Sequence, residues 1–194
     1  MIGKIKKIFN YLIFSKKTFL YPEKKKILFF DDLKKNDLVI KFLKKNNFDI
    51  LHMRGEIINL RIILDCIFRL KFKFQDYINF YVNKVNPKII ITFLDNYPEV
   101  YAIDHKAKKI IIQNAFRTGH ANFDRIKKVV KGSGFIFCHN KFVGKMYRKY
   151  TKFNVVPSGS FKSNSIPTKK LKKKYDILFI STFRNYAIDY FSEE

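Results

Sequence analysis

Short apolar runs recur along this chain, and most of them end in polar residues. Runs such as Ile27-Leu-Phe-Phe and Ile89-Ile-Ile-Thr have the length of strands that are buried on both faces, as in a parallel sheet. Helical patterns separate the runs, so the alternation predicts an α/β fold with a doubly wound, mostly parallel sheet. The predicted strands cover 27–31, 49–55, 87–95, 110–113, 132–139 and 153–157. The predicted helices cover 38–43, two stretches within 56–84, a short helix or turn within 97–106, and 141–150.

Polar residues follow two consecutive predicted strands. Asp95 and Asn96 end the strand at 87–95, and Gln113 and Asn114 end the strand at 110–113, with Arg117 shortly beyond. The carboxyl ends of neighbouring parallel strands meet at one edge of a sheet, where open α/β folds bind their ligands. We therefore expect these side chains to line one crevice, with Arg117 directed at a carboxylate or phosphate.

Histidine and aspartate end other predicted strands. His139 ends the strand at 132–139 and is the best acid/base candidate, because imidazole titrates near neutral pH; a packing or capping role fits it equally well. Asp31 and Arg54 also end strands, and Asp31 either lines the crevice or caps the next helix. The four histidines lack the spacing of metal ligands, so no metal site is predicted.

The first 21 residues combine apolar positions at helical spacing with several lysines. This pattern predicts a basic amphipathic helix over 1–21. Such a helix either docks on anionic lipid, where each lysine contributes ~1 kcal/mol, or packs on the domain as an ordinary first helix. The lysines expected to contact a membrane are Lys4, Lys6, Lys7, Lys16 and Lys17.

The formal net charge of +24 on 194 residues favours a polyanionic partner, either an anionic membrane or nucleic acid. A general bias of the sequence toward Lys, Phe, Ile and Asn accounts for much of this charge without any partner. Nucleic acid is disfavoured, because the lysine runs fall in turns and no RNA-recognition or helix-turn-helix pattern is present.

Two cysteines, Cys66 and Cys138, lie far apart inside apolar runs, which predicts buried free thiols in a reducing compartment. Lys or Asp interrupts every apolar stretch before it reaches the length of a membrane-spanning helix. No small-residue cleavage site follows the apolar patch near the amino terminus. A cytoplasmic location is therefore expected.

The composition changes after the sixth predicted strand. Residues 162–174 contain six lysines and no acid, which predicts an exposed linker. Residues 175–184 then repeat the pattern of a buried strand that ends in polar residues. We therefore expect a Rossmann-like domain over 22–161, a linker over 162–174, and over 175–194 only the first strand of a truncated second domain.

Three segments carry a resemblance to a known group of proteins: Ile90-Ile-Thr-Phe-Leu-Asp95-Asn96, Ile112-Gln113-Asn114-Ala-Phe-Arg117 and Asp176-Ile-Leu-Phe-Ile-Ser181-Thr-Phe-Arg184. In these segments the chain resembles bacterial surface carbohydrate biosynthesis proteins, and it looks like a lipopolysaccharide or capsule glycosyltransferase with two Rossmann-like domains (GT-B type). Ala115 stands where the family pattern has Gly.

The resemblance implies roles for the candidate residues. Asp95, Asn96, Gln113 and Asn114 would bind an acceptor sugar, Arg117 would hold an anionic group, and His139 or Asp95 would be the general base. Ser181 and Arg184 would bind substrate from the second domain.

The same resemblance implies partners for the protein. A nucleotide-sugar donor is expected for the full-length protein, with no covalently bound cofactor. The acceptor is a sugar or a lipid-linked sugar at the inner face of the cytoplasmic membrane, and a missing carboxyl-terminal domain or a separate partner chain completes the enzyme. A polyol-phosphate transferase, a sugar-nucleotide epimerase and a basic nucleic-acid-binding module are the alternatives.

Overall fold

The computed structural model describes residues 14–31, 37–41, 43, 47–54, 56–115 and 121–164. The secondary-structure elements in these residues are, in chain order, β1 (Lys16–Thr18), β2 (Ile27–Phe30), α1 (Asp37–Ile40), β3 (Phe48–Leu51), β4 (Ile57–Asn59), α2 (Leu60–Phe68), α3 (Phe74–Val85), β5 (Ile89–Thr92), α4 (Pro98–Tyr101), β6 (Lys108–Ile112), α5 (Ala121–Val129), β7 (Gly134–Cys138), α6 (Lys141–Tyr150), β8 (Asn154–Pro157) and α7 (Phe161–Asn164).

Six strands form one sheet in the order β3-β2-β5-β6-β7-β8, and every neighbouring pair is parallel. The predicted α/β fold with a parallel sheet is therefore confirmed, and the architecture is Rossmann-like. The chain leaves β2 toward β3 on one side and returns to β5 on the other side of β2. This reversal of strand order opens a crevice outside the carboxyl ends of β2 and β5.

Alternate residues of each strand pack on opposite faces of the sheet. In β2, Leu28 and Phe30 join the larger core, which is built with α2 to α6, whereas Phe29 joins a smaller core on the other face. The smaller core is covered by α1 and by Phe161 of α7. Helices therefore flank both faces, which explains why the central strands read as continuous apolar runs.

Helix α6 has the bounds that the sequence predicts, and a side chain caps its amino terminus. The Asn140 side chain accepts a hydrogen bond of 2.9 Å from the backbone N–H of Val143. A Cβ atom at Gly144 would lie 3.3 Å from the Cys138 Sγ atom, so α6 packs closely on β7. This cap and this close packing fix α6 above the carboxyl half of the sheet.

The predicted helix over 1–21 is wrong in its described part, because Lys16–Thr18 is a strand. This strand, β1, pairs in parallel with β4, and the Lys16 N–H donates a hydrogen bond of 2.9 Å to the Glu56 carbonyl. The edge of β4 needs partners for its backbone groups, and this requirement outweighs the helical spacing of the side chains. The sequence did not predict β4 either, and residues 1–13 lie outside the described part of the chain.

Two further features differ from those predicted. No helix is predicted between the strands at 110–113 and 132–139, but α5 (Ala121–Val129) lies there. The linker expected from residue 162 begins later, because the Ser160 hydroxyl accepts a hydrogen bond of 3.2 Å from the Ser163 N–H in the first turn of α7. Phe161, the last residue of the predicted domain, packs edge-to-face on Phe137. The rest of the linker and the predicted second domain lie beyond the described residues.

Candidate functional site

The carboxyl ends of the sheet strands carry most of the predicted site residues. Asp95 follows β5, Gln113 follows β6 and His139 follows β7 directly, so the three residues lie on neighbouring strands at one edge of the sheet. Hydrogen bonds connect these strand ends, as described below. We call this edge, defined by Asp95, Asn96, Gln113, Asn114 and His139, the carboxyl rim.

The Asp95 carboxylate is fully buried, and each of its oxygens accepts a hydrogen bond. The Tyr147 hydroxyl of α6 donates to Oδ2 at 2.6 Å, and the backbone N–H of Asn114 donates to Oδ1 at 3.1 Å. The Tyr101 hydroxyl donates to the Asp95 carbonyl at 2.8 Å. A buried carboxylate is stable only with such partners, so Asp95 holds the end of β6 and helix α6 in register with the end of β5.

The Gln113 side chain connects the ends of β6 and β7. Its Oε1 atom accepts a hydrogen bond of 2.9 Å from the backbone N–H of His139, and its Nε2 atom donates to the Ala115 carbonyl at 2.9 Å. Gln113 is almost fully buried, so both of its polar groups are used inside the protein. Its role in the geometry is to fix the backbone position of His139.

His139 is half-buried, and its ring differs from the neighbouring polar groups. The Nε2 atom is shielded from solvent and, within the described residues, has no hydrogen-bond partner. Buried polar atoms are almost always paired, so this ring nitrogen calls for a partner from outside these residues.

Asn96 and Asn114 are half-buried at the same rim. The Asn114 backbone is fixed by Asp95, which leaves its side-chain amide as a group that can contact a ligand. Arg117 lies outside the described residues, as do Ser181 and Arg184. The structure thus brings together five of the eight residues predicted for catalysis and substrate binding.

The switch point between β2 and β5 adds a second polar group beside the rim. Asp31 follows β2 with a φ of +83° and is fully buried, and its carboxylate accepts a hydrogen bond of 3.0 Å from the Arg54 guanidinium. Thr92 ends β5, and its hydroxyl donates to the Phe30 carbonyl at 2.9 Å. Asp31 therefore holds Arg54 at the crevice, where more than half of the arginine side chain is exposed.

A buried lysine lies at the opposite edge of the sheet. The Lys109 ammonium, near the amino end of β6, donates hydrogen bonds of 3.1, 2.8 and 2.7 Å to the carbonyls of Tyr101, Ile103 and Lys131. Burial lowers the pKa of this amine to about 8. All three donors are used inside the protein, so Lys109 closes the structure at this edge and offers no group to a ligand.

Of the lysines predicted to contact a membrane, only two are described. Lys16 and Lys17 lie in β1, so they are not part of an amphipathic helix. Lys4, Lys6 and Lys7 precede the described residues. Among the described residues, none of the helices has the length and hydropathy of a membrane-spanning segment. The same residues contain no cluster of three or more His, Cys, Asp or Glu side chains that could hold a metal ion.

Tyr147 and Thr92 are the residues of this region that sequence reasoning missed. Tyr147 repeats the spacing of the buried helix positions Val143 and Tyr150, so its pattern indicates a core residue. Only the predicted placement of α6 over the strand that ends at Asp95 could have suggested its hydroxyl as the partner of that carboxylate. Thr92 gave no signal, because it belongs to an apolar run.

Fold and rim together define the class of this protein: a Rossmann-like α/β domain with a polar carboxyl rim that includes a histidine. A family model described as "putative O-antigen biosynthesis protein" matches residues 110–193, which is less than half of the chain. The match supports a role in surface carbohydrate biosynthesis. It includes Gln113, Asn114, Arg117, His139, Ser181 and Arg184. No curated protein and no solved structure matched the chain.

Proposed function

We propose that the carboxyl rim is the acceptor-binding wall of a glycosyltransferase of the O-antigen type, and that His139 is its general base. The surroundings of His139 carry this proposal. The Gln113 side chain fixes the position of the His139 backbone N–H, and the Nε2 atom of the ring has no hydrogen-bond partner among the described residues. The family match over 110–193 supplies the biosynthetic context.

The two candidate bases differ in what their side chains already bind. Both Asp95 carboxylate oxygens accept hydrogen bonds inside the protein, whereas the His139 Nε2 atom, which is equally shielded from solvent, has no hydrogen-bond partner among the described residues. A general base must come within hydrogen-bond reach of the proton that it removes. We therefore assign the base role to His139 and give Asp95 the task of positioning Asn114 and α6.

The chemistry follows from these roles. His139 removes the proton from an acceptor hydroxyl while the hydroxyl oxygen attacks the anomeric carbon of a nucleotide sugar. The bond between that carbon and the phosphate oxygen breaks, the nucleotide leaves, and the proton stays on the imidazole. The amides of Asn96 and Asn114 bind hydroxyl groups of the acceptor, and Arg117 holds an anionic group near the reacting centre.

The donor belongs to the other wall of the site. We assign its binding to the segment containing Ser181 and Arg184, together with a second domain or a partner chain. The reaction takes place at the inner face of the cytoplasmic membrane, where lipid-linked acceptors are presented.

The test is genetic and uses the whole protein. The gene is deleted in its own bacterium, and the lipopolysaccharide is separated on a gel after complementation. We expect the wild-type gene and the exposed-surface variant Lys145→Ala to restore the O-antigen ladder, and His139→Ala to fail at an equal protein level. An unchanged ladder in the deletion strain contradicts the biosynthetic role, and full restoration by His139→Ala contradicts the base.

A further inference from the structure

Helix α2 and its connection to α3 expose an unusual number of large apolar side chains. Phe68, Leu70 and Phe72 are 81%, 77% and 74% exposed. Monomeric proteins rarely leave contiguous apolar patches uncovered unless the patch has a binding partner. We call this patch the α2–α3 surface, and its members are Leu64, Ile67, Phe68, Leu70, Phe72 and Phe74.

Basic residues are interleaved with these apolar side chains. The stretch Phe68-Arg-Leu-Lys-Phe-Lys-Phe74 contains three cations and no acid, and all of its residues are exposed. The nearest acids in the sequence are already engaged: Asp65 accepts a hydrogen bond from the Tyr21 hydroxyl at 2.9 Å, and Asp76 accepts one from the Lys73 backbone N–H at 3.1 Å. The α2–α3 surface therefore presents positive charge together with apolar area, which selects an anionic partner.

A cavity of about 490 Å³ opens beside this surface. Its wall is mainly apolar and includes Ile63, Ile67, Phe72 and Tyr77, and Lys71 and Lys73 also line it. The cavity reaches Tyr97, which follows Asp95 and Asn96 in the chain. An apolar pocket with cations in its lining suits a hydrocarbon chain that carries an anionic head group.

We propose that the α2–α3 surface docks on an anionic lipid bilayer and that the cavity takes up one hydrocarbon chain from it. Aromatic side chains next to lysines and arginines are the composition of surfaces that lie in the membrane interface. Single-stranded RNA fits this surface less well, because Leu64, Ile67 and Leu70 offer no ring for base stacking. The contact itself is independent of the proposed sugar transfer; only its use in presenting a lipid-linked acceptor to the carboxyl rim rests on the proposed function.

The test uses the full chain and sedimentation with vesicles of phosphatidylcholine, with or without phosphatidylglycerol. We expect binding to the anionic vesicles, and a loss of at least about tenfold in partitioning for Phe68→Ser/Phe72→Ser and for Lys71→Glu/Lys73→Glu. The matched controls lie on α6, which packs on β7 and β8 at the far side of the sheet from β3. They are Phe142→Ser and Lys141→Glu/Lys145→Glu. All of these side chains are exposed, so melting temperatures should stay at the wild-type value.

Three outcomes overturn the proposal: no binding of the wild-type chain to anionic vesicles, equal losses in the α6 controls, or loss of binding only when Lys4, Lys6 and Lys7 are replaced. Binding of single-stranded RNA that depends on Phe68 and Phe72, without any vesicle binding, assigns the surface to nucleic acid instead. The sugar-transfer proposal stands or falls separately, because vesicle binding requires no donor and no turnover.

Discussion

Two buried charges at opposite edges of the same sheet serve different purposes. Lys109, near the amino end of β6, donates to three backbone carbonyls and joins α4, the chain after it and residue 131. Asp95, at the carboxyl end of β5, accepts from a tyrosine hydroxyl and from the backbone of a rim residue. The lysine therefore closes the fold, whereas the aspartate holds the site in shape. Burial alone does not show that a charged side chain belongs to a functional site, because its hydrogen-bond partners determine what it positions.

The largest effect in this comparison should come from the backbone contact next to Lys109. A Cβ atom at Gly134 would overlap the Lys109 carbonyl oxygen, and the backbone on both sides is fixed by strand pairing. We expect Gly134→Ala to lower the free energy of unfolding by about 4 kcal/mol or to prevent folding. Gly144→Ala meets only movable side chains at 3.3 Å and should cost about 1 kcal/mol in the same denaturation experiment. Equal costs for the two variants would contradict the geometry at β6 and β7.

The second-largest loss of stability should come from replacing Lys109 itself. Lys109→Met keeps the apolar stem but leaves three buried carbonyls without their donor, so we expect a loss of about 3 kcal/mol in the free energy of unfolding. The neighbouring Lys108 is exposed, and Lys108→Met should change stability by less than about 0.5 kcal/mol. Urea denaturation of both variants gives the comparison. An unchanged free energy of unfolding in Lys109→Met would mean that the three carbonyls find other hydrogen-bond donors.

The role of Asp95 is tested by removing the hydrogen bond that it accepts from Tyr147. Tyr147→Phe removes the hydrogen bond of 2.6 Å to Asp95 Oδ2 and leaves a buried carboxylate oxygen with one partner fewer. We expect a loss of about 2 kcal/mol in stability. Unlike Lys109→Met, this variant should also reduce restoration of the O-antigen ladder at a temperature where the protein stays folded. A ladder of wild-type strength at that temperature would show that Tyr147 serves stability alone.

The smallest expected effect is a pH dependence of the free energy of unfolding that arises from Lys109. Burial lowers its pKa from 10.5 to about 8, so between these values the unfolded chain binds more protons than the folded chain. The free energy of unfolding of the wild type, relative to Lys109→Met, should therefore rise by about 1 kcal/mol from pH 7 to pH 9. Denaturation curves of the two proteins at both pH values provide the difference. A difference that falls with pH would contradict the direction of the pKa change.

The sequence predicted the sheet well because each central strand is a short apolar run with a polar end. The runs ending at Asp31, Asp95 and His139 identify strands, carboxyl ends and a common edge without any tertiary information. The gathering of Asp95, Gln113, Asn114 and His139 follows from that topology alone. Residues that the parallel sheet itself positions are therefore the ones that sequence analysis finds.

The sequence could not predict contacts that depend on packing between distant elements. Tyr147 and Asp95 are 52 positions apart, and the helical spacing of Tyr147 indicates only a core residue. Lys109 belongs to a lysine-rich stretch that resembles an exposed turn, although its side chain is fully buried. The pairing of β1 with β4 was hidden by helical spacing at the amino terminus. In each case the deciding interaction is a hydrogen bond whose partner lies elsewhere in the fold.

The proposed sugar transfer at the carboxyl rim, with His139 as base, is tested most directly by a transfer rate. Membranes and cytosol from strains carrying each variant are incubated with radiolabelled nucleotide sugars, and label in the lipid extract is counted over time. We predict that His139→Ala lowers the rate at least about 100-fold relative to the wild type and to Lys145→Ala, with an unchanged melting temperature. Incorporation at the wild-type rate by folded His139→Ala would contradict the account.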